Sequence, residues 1–232
     1  LREMTADEAA QMMRGEPGTE VVVTVAREGQ EPFDLTIVRE VIALASVRSR
    51  MIDEAYAYIR ISQFRANTGI DFESELEELY EENGELNGIV LDLRNNPGGV
   101  LQASVGVVDA LIDQGRIVYT EGRLEQTGME FSATRNTAAP DVPMVVLINN
   151  GSASASEIVA GALQDHGRAI IMGTRSFGKG SVQTVLPLAD DRAIKLTTSL
   201  YFTPSGRSIQ AQGIEPDIIV DEAFVSRRSR NV

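Results

Sequence analysis

The sequence predicts an α/β protein with a largely parallel sheet, preceded by part of a second, smaller domain. Gly88 to Leu93 (GIVLDL), Pro143 to Ile148 (PMVVLI) and Ala169 to Met172 (AIIM) are short, nearly all-apolar segments. Such segments read as strands covered on both faces. Helical stretches alternate with them, from Val100 to Ile112 (stopped by Gly115) and from Ser154 to Asp165. That order implies parallel pairing through right-handed crossovers. The small domain is inferred from the first forty residues, whose one helix and two strands cannot enclose a normal core.

The N-terminal helix is signalled by Thr5-Ala-Asp-Glu8, which has the capping-box form, followed by Ala9, Met12 and Met13 at helical spacing. Gly15-Glu-Pro-Gly18 ends it. Thr19 to Arg27 is a β-branched strand, and after a turn at Glu28-Gly-Gln, Phe33 to Arg39 alternates as a second. Tyr56 to Phe64 reads as another strand. A helix follows, with Phe72, Leu76 and Leu79 as its apolar stripe. Its other face is acidic, with seven Glu in the thirteen residues from Glu73 to Glu85, and reads as solvated. Ala193 to Phe202 supplies a longer strand near the end.

Composition narrows the chemistry. The chain has 232 residues, 43% hydrophobic and 5% aromatic, enough for one domain and part of another. No apolar run approaches the roughly 18 residues needed to span a bilayer. The chain opens at Leu1 without an initiator Met and is expected to be a fragment. A net charge of −13 argues against nucleic acid as a partner. Arg227, Arg228 and Arg230 read as a basic tail. With no Cys and one His, a thiol nucleophile, a disulfide, a thiolate metal site and a multi-histidine centre are excluded. No cofactor or metal is expected, and hydrolytic chemistry falls to Ser, Thr, Lys, Asp or Glu.

In open α/β sheets functional groups gather beyond the carboxyl ends of the strands. Three segments fall there: 94–99, 149–156 and 176–181. Ser154 lies where the second segment enters a helix. Ser154-Ala-Ser-Glu157 also fits a capping box, so helix capping and nucleophile are both open roles. Ser152, Ser154 and Ser156 alternate with Ala and leave little bulk around the turn. The amide of Ala155, at the helix N-terminus, would face a developing oxyanion. His166 lies twelve residues further along the same helix, about 18 Å away at 1.5 Å per residue, and geometry disfavours it as the base. It is expected to interact with the helix C-terminus instead.

A lysine serves as base only when burial lowers its pKa from about 10.4. Lys179, between Gly178 and Gly180, is either such a base or a surface residue. Gly173, Gly178 and Lys179 also match part of a phosphate-binding loop, but Gly180 stands where Ser or Thr is required. Asp92 to Gly99 (DLRNNPGG) is a turn by composition, or a close backbone approach whose glycine N–H serves an oxyanion.

Leu91 to Gly99 (LDLRNNPGG), Gly151 to Asp165 (GSASASEIVAGALQD) and Ser176 to Gln183 (SFGKGSVQ) together resemble the carboxyl-terminal processing, or tail-specific, proteases. Tyr201 to Gly213 (YFTPSGRSIQAQG) resembles that family's substrate-side strand and loop. The resemblance runs from about Ser46 to Asp217, with a Ser-to-Lys spacing of 25 residues that matches the family. It implies Ser154 as nucleophile, Lys179 as general base and Gln183, one helical turn on, as the residue orienting the lysine. It implies an oxyanion hole from the amides of Gly99 and Ala155, and a supporting role for Asp165.

The fold implied is a crotonase/ClpP-like ββα protease core, with a protease cap, over residues 42–232. Residues 1–41 would be the C-terminal part of a PDZ domain, with Thr5 to Arg14 its groove helix. The expected activity is serine endopeptidase cleavage of unstructured or carboxyl-terminal regions of proteins through an acyl-enzyme. Substrate would pair with an exposed strand edge near Lys195 to Tyr201. The expected setting is the bacterial cell envelope, most simply the periplasm, with an adaptor protein and homo-oligomerisation as further family traits. Two alternatives stay open: a binding protein that keeps the protease fold, and a crotonase-like acyl-CoA enzyme. The second lacks an acidic acid–base candidate beside Gly98 and Gly99.

Overall fold

The structure is a computed structural model that describes residues 4–27, 29–41, 45–53, 55–123, 128–134, 137–139, 142–188 and 192–221. The basic tail residues Arg227, Arg228 and Arg230 lie outside the described residues. The chain divides into two compact units, Leu1–Ala45 and Ser46–Val232.

In the first unit, α1 (Ala6–Met13) begins at Thr5, whose N–H donates to Glu8 Oε2 at 2.8 Å, completing the predicted capping box. β1 (Glu20–Val25) and β2 (Phe33–Val38) form an antiparallel hairpin. Arg39 ties the unit together by donating to the Met13 carbonyl, the Thr19 hydroxyl and the Glu20 carbonyl. Every residue of β2 is exposed, as a helix and a hairpin without further layers dictate.

The second unit is built on a six-stranded sheet. Its strands are β3 (Val47–Ile52), β4 (Tyr56–Ile61), β5 (Gly88–Asp92), β8 (Met144–Ile148), β9 (Ile170–Gly173) and β12 (Ile218–Ile219). The spatial order is β12-β9-β8-β5-β4-β3, and every pair is parallel except β3 with β4. The apolar segments predicted as buried strands occupy the middle, where both faces are covered. Helices α2 (Thr68–Asn83), α3 (Leu101–Asp109) and α4 (Ala155–Asp165) are the crossovers. Phe72, Leu76 and Leu79 of α2 are buried. The acidic face of α2 is exposed apart from Glu75, which accepts from the Ser49 hydroxyl of β3.

A second, antiparallel sheet has the order β10-β11-β6-β7, from Ser181–Pro187, Ala193–Phe202, Arg116–Gly122 and Glu130–Ser132. It corrects two expectations. Gln183 stands on strand β10, where a β-branched run pairs with β11, and not one helical turn after Lys179. The part of β11 from Ser199 to Phe202 lies between β10 and β6, so Ser199, Leu200 and Tyr201 of the expected substrate edge are already paired on both sides, whereas residues 195–198 pair with β10 alone; the sheet's outer strand on this side is β10. Among the described residues no helix is long and apolar enough to cross a membrane.

Candidate active site

The site lies where β5, β8 and β9 end, as the topology requires. The loop after β8 and the loop after β5 are sewn together by buried polar groups. Ser152 Oγ donates to the Leu93 carbonyl at 2.8 Å, and Ser156 Oγ donates to the Asn96 carbonyl at 3.0 Å. Asn149 Nδ2 donates to Asn95 Oδ1, and Asn96 Nδ2 to the Ile61 carbonyl. Of the three alternating serines, Ser152 and Ser156 are wholly buried, whereas Ser154 is only half-buried.

Ser154 also differs in its backbone, at φ 56° and ψ −112°, a conformation that a side chain disfavours. Strain of this kind at a strand-to-helix turn presents a side chain outward. Gly98 explains why the turn fits. At φ 96°, a Cβ on Gly98 would lie 2.6 Å from the Ala153 carbonyl oxygen and 2.8 Å from Ser154 Cβ. Gly99, at φ 148°, is pressed against the Phe64 carbonyl, where a Cβ would come to 1.9 Å. The Gly98 N–H is taken by Asn96 Oδ1. The N–H groups of Gly99 and Ala155 have no hydrogen-bond partner among the described residues, as donors reserved for a ligand would not.

Glu157 takes the Ser154 N–H as in a capping box, and it does far more than cap. The Glu157 side chain is wholly buried and accepts four hydrogen bonds. Oε1 takes the Ser176 hydroxyl and the Gly178 N–H, both at 2.6 Å. Oε2 takes the Ser154 N–H at 2.7 Å and the Lys179 N–H at 2.8 Å. Two bonds of those lengths to one atom hold the backbone nitrogens of Ser154 and Lys179 within about 5.5 Å of each other. The nonlocal fold thus brings the Glu157 carboxylate to the Lys179 backbone. The Lys179 side chain is exposed, not buried, and no hydrogen bond joins it to Ser154. Gln183 is exposed as well.

The phosphate-loop likeness also fails, since Gly178-Lys179-Gly180 leads into strand β10 and not into a helix N-terminus. Asp165 sits at the other end of α4. It accepts from Ser205 N–H at 2.8 Å and from Arg207 Nη2, fixing the turn after β11. Burial would raise its pKa, but the hydrogen bonds from Thr203 and Ser205 and the Arg207 charge outweigh it, and the carboxyl titrates below its ordinary value. His166 lies beside it, its Nε2 paired with the Arg116 carbonyl at 2.7 Å, remote from Ser154 as the helix geometry demands.

Asp92 is a hub the sequence reading passed over. Wholly buried at the end of β5, it accepts from Tyr58 Oη (2.6 Å), Arg60 Nη1 (2.8 Å) and the Arg94 side chain (2.8 and 2.9 Å). Burial opposes its charge, but the Arg94 and Tyr58 hydrogen bonds prevail and lower its pKa to about 2. The signal was an Asp in an apolar strand followed two residues later by Arg.

A sequence model of "Peptidase family S41" matches residues 55–220. The chain is 48% identical over 221 residues to a carboxy-terminal-processing protease of Bartonella bacilliformis, covering 94% of this chain and 51% of that protein. It is 41% identical over 229 residues to a carboxyl-terminal-processing protease of Synechocystis sp., covering 96% and 52%. The chain thus spans about half the length of these curated relatives. Among solved structures it is similar to a photosystem II D1 C-terminal processing protease, with a TM-score of 0.70 and 32% identity over 94% of this chain and 60% of the other. On the matched motifs, the parallel sheet and these likenesses, the chain belongs to peptidase family S41.

Proposed function

We propose that the chain is the catalytic part of a serine endopeptidase that cuts unstructured or carboxyl-terminal regions of proteins with a Ser154–Lys179 dyad. The observation that carries this reading is the shared acceptor, Glu157 Oε2, which holds the backbones of both residues side by side. The movement that completes the dyad in this reading is rotation of the exposed Lys179 side chain toward Ser154. Substrate covering the amine excludes water from the dyad.

In the reaction, Lys179 Nζ takes the hydroxyl proton as Ser154 Oγ attacks the peptide carbonyl carbon. The Gly99 and Ala155 N–H groups bind the oxyanion. Collapse breaks the C–N bond, and Lys179 returns the proton to the leaving amine. Lys179 then draws a proton from water, which hydrolyses the acyl-enzyme. Gln183 orients the lysine from β10, and substrate pairs with the β10 edge.

Residues 1–41 are read as part of a PDZ domain, on the helix and hairpin that they form. Residues 42–232 are read as the protease cap and the crotonase/ClpP-like core. The periplasmic setting, an adaptor protein and homo-oligomerisation rest on the family resemblance.

The test is digestion of an unfolded protein by the wild type and by Ser154→Ala and Lys179→Ala chains with native circular dichroism. Loss of cleavage in both is expected. Undiminished proteolysis by either variant refutes the dyad.

A further inference from the structure

Phe177 stands out among the residues around the site. Its backbone is fixed from both sides: its own N–H donates to the Ser152 carbonyl at 2.9 Å, and its neighbours Ser176 and Gly178 are held by Glu157. Yet its side chain is 63% exposed. An aromatic ring left in water contributes nothing to the core, although the loop that carries it is among the most tightly bonded segments of the chain. In the loop after β5, Val100 follows Gly99, is held by a bond from its N–H to the Phe64 carbonyl, and is 43% exposed. Two exposed apolar side chains therefore stand on hydrogen-bonded backbone of the loops around Ser154, one on each.

We propose that Phe177, together with Val100, is a specificity-determining contact that selects peptide segments carrying an apolar side chain next to the scissile bond. The proposal rests on the protease reading above and adds the substrate class. The ring is placed in advance by its pinned backbone, so little ordering entropy is lost when substrate covers it. Leu, Val or Phe beside the cleaved bond displaces water from the ring and from Val100. A Ser, Asp or Gly there leaves both wet.

The test uses peptides that differ only in the residues flanking one cleavable bond, Leu against Ser, with the wild type, Phe177→Ala and Phe177→Tyr chains. The wild type is expected to prefer Leu in kcat/KM by about tenfold or more. Phe177→Ala should bring that ratio near one while the Ser peptide is cut at close to the original rate, and Phe177→Tyr should restore the preference. A Leu-to-Ser ratio unchanged by Phe177→Ala overturns the proposal, whether or not the overall rate falls.

Binding of the same fluorescent peptides to the Ser154→Ala chain, read by anisotropy, separates the two levels of the argument. Leu-selective binding that depends on Phe177, in a protein whose wild type cuts nothing, refutes the reaction and keeps the contact. Ser154-dependent cleavage with Phe177-independent selectivity refutes the contact and keeps the reaction. Binding without selectivity, in a chain that cuts nothing, refutes both.

Discussion

Replacing Glu157 with Gln tests whether one buried carboxylate assembles this site. Each carboxylate oxygen accepts two hydrogen bonds, from the Ser154, Gly178 and Lys179 amides and from the Ser176 hydroxyl, which itself accepts from Ile214 N–H at 2.7 Å. A glutamine keeps one oxygen; in its better flip the NH2 faces Gly178 and Ser176, where the hydroxyl can rotate to accept it and the Gly178 N–H is left unpaired. At least one bond to a charged group is then lost, at about 1.5–3 kcal/mol. For a unit of this size the melting temperature should fall by roughly 5 °C or more. Equilibrium urea unfolding measures the free energy, and amide hydrogen exchange at Ser154, Gly178 and Lys179 reports whether the loss is local. A change below about 1 kcal/mol, with those amides still protected, would refute the role given to Glu157.

Three further outcomes are expected. Asp92 titrates at about 2 against an ordinary 3.8, so its ionised form contributes about 2 kcal/mol of stability. That contribution is complete above about pH 4 and disappears as pH falls through 2, and Asp92→Asn should remove this part of the acid-unfolding curve. Ser154→Gly should raise stability by about 1 kcal/mol while abolishing cleavage, because glycine tolerates φ 56°; Ser154→Ala should show no such gain in the same unfolding assay. Gly98→Ala should cost about 3 kcal/mol or more by thermal unfolding and suppress activity, since its Cβ collides with the Ala153 carbonyl and Ser154 Cβ.

The central strands and α4 were legible because burial on both faces leaves an uninterrupted apolar run, and a helix start leaves a capping box. β3 (VRSRMI) and β6 (RIVYTEG) were not, because strands with an accessible face mix charge with apolar residues and imitate loops. The same limit misplaced Gln183: SVQTVLP becomes a strand only through its pairing with β11. At the site, Ser154, Gly99 and Ala155 lie together because short loops carry them. The exposure of Lys179 and the fourfold coordination of Glu157 depend on contacts nearly twenty or more residues apart, which local pattern does not encode. Glu157 announced its local partner, Ser154, and concealed the other three.

The two ends of α4 are secured by chain made after it. Glu157, near the start, is completed by residues 176–179, and Asp165, at the end, by residues 205 and 207. A growing polypeptide therefore carries Ser154, with its neighbours already able to bond to the loop after β5, well before the Glu157 clamp can be completed. The Glu157 clamp on the Ser154 turn is complete only when the loop of residues 176–179 has been made, and α4 gains its second clamp only with the turn after β11. Nascent or prematurely ended chains hold Ser154 without its finished clamp, so under the proposed mechanism competence arises late, in two steps.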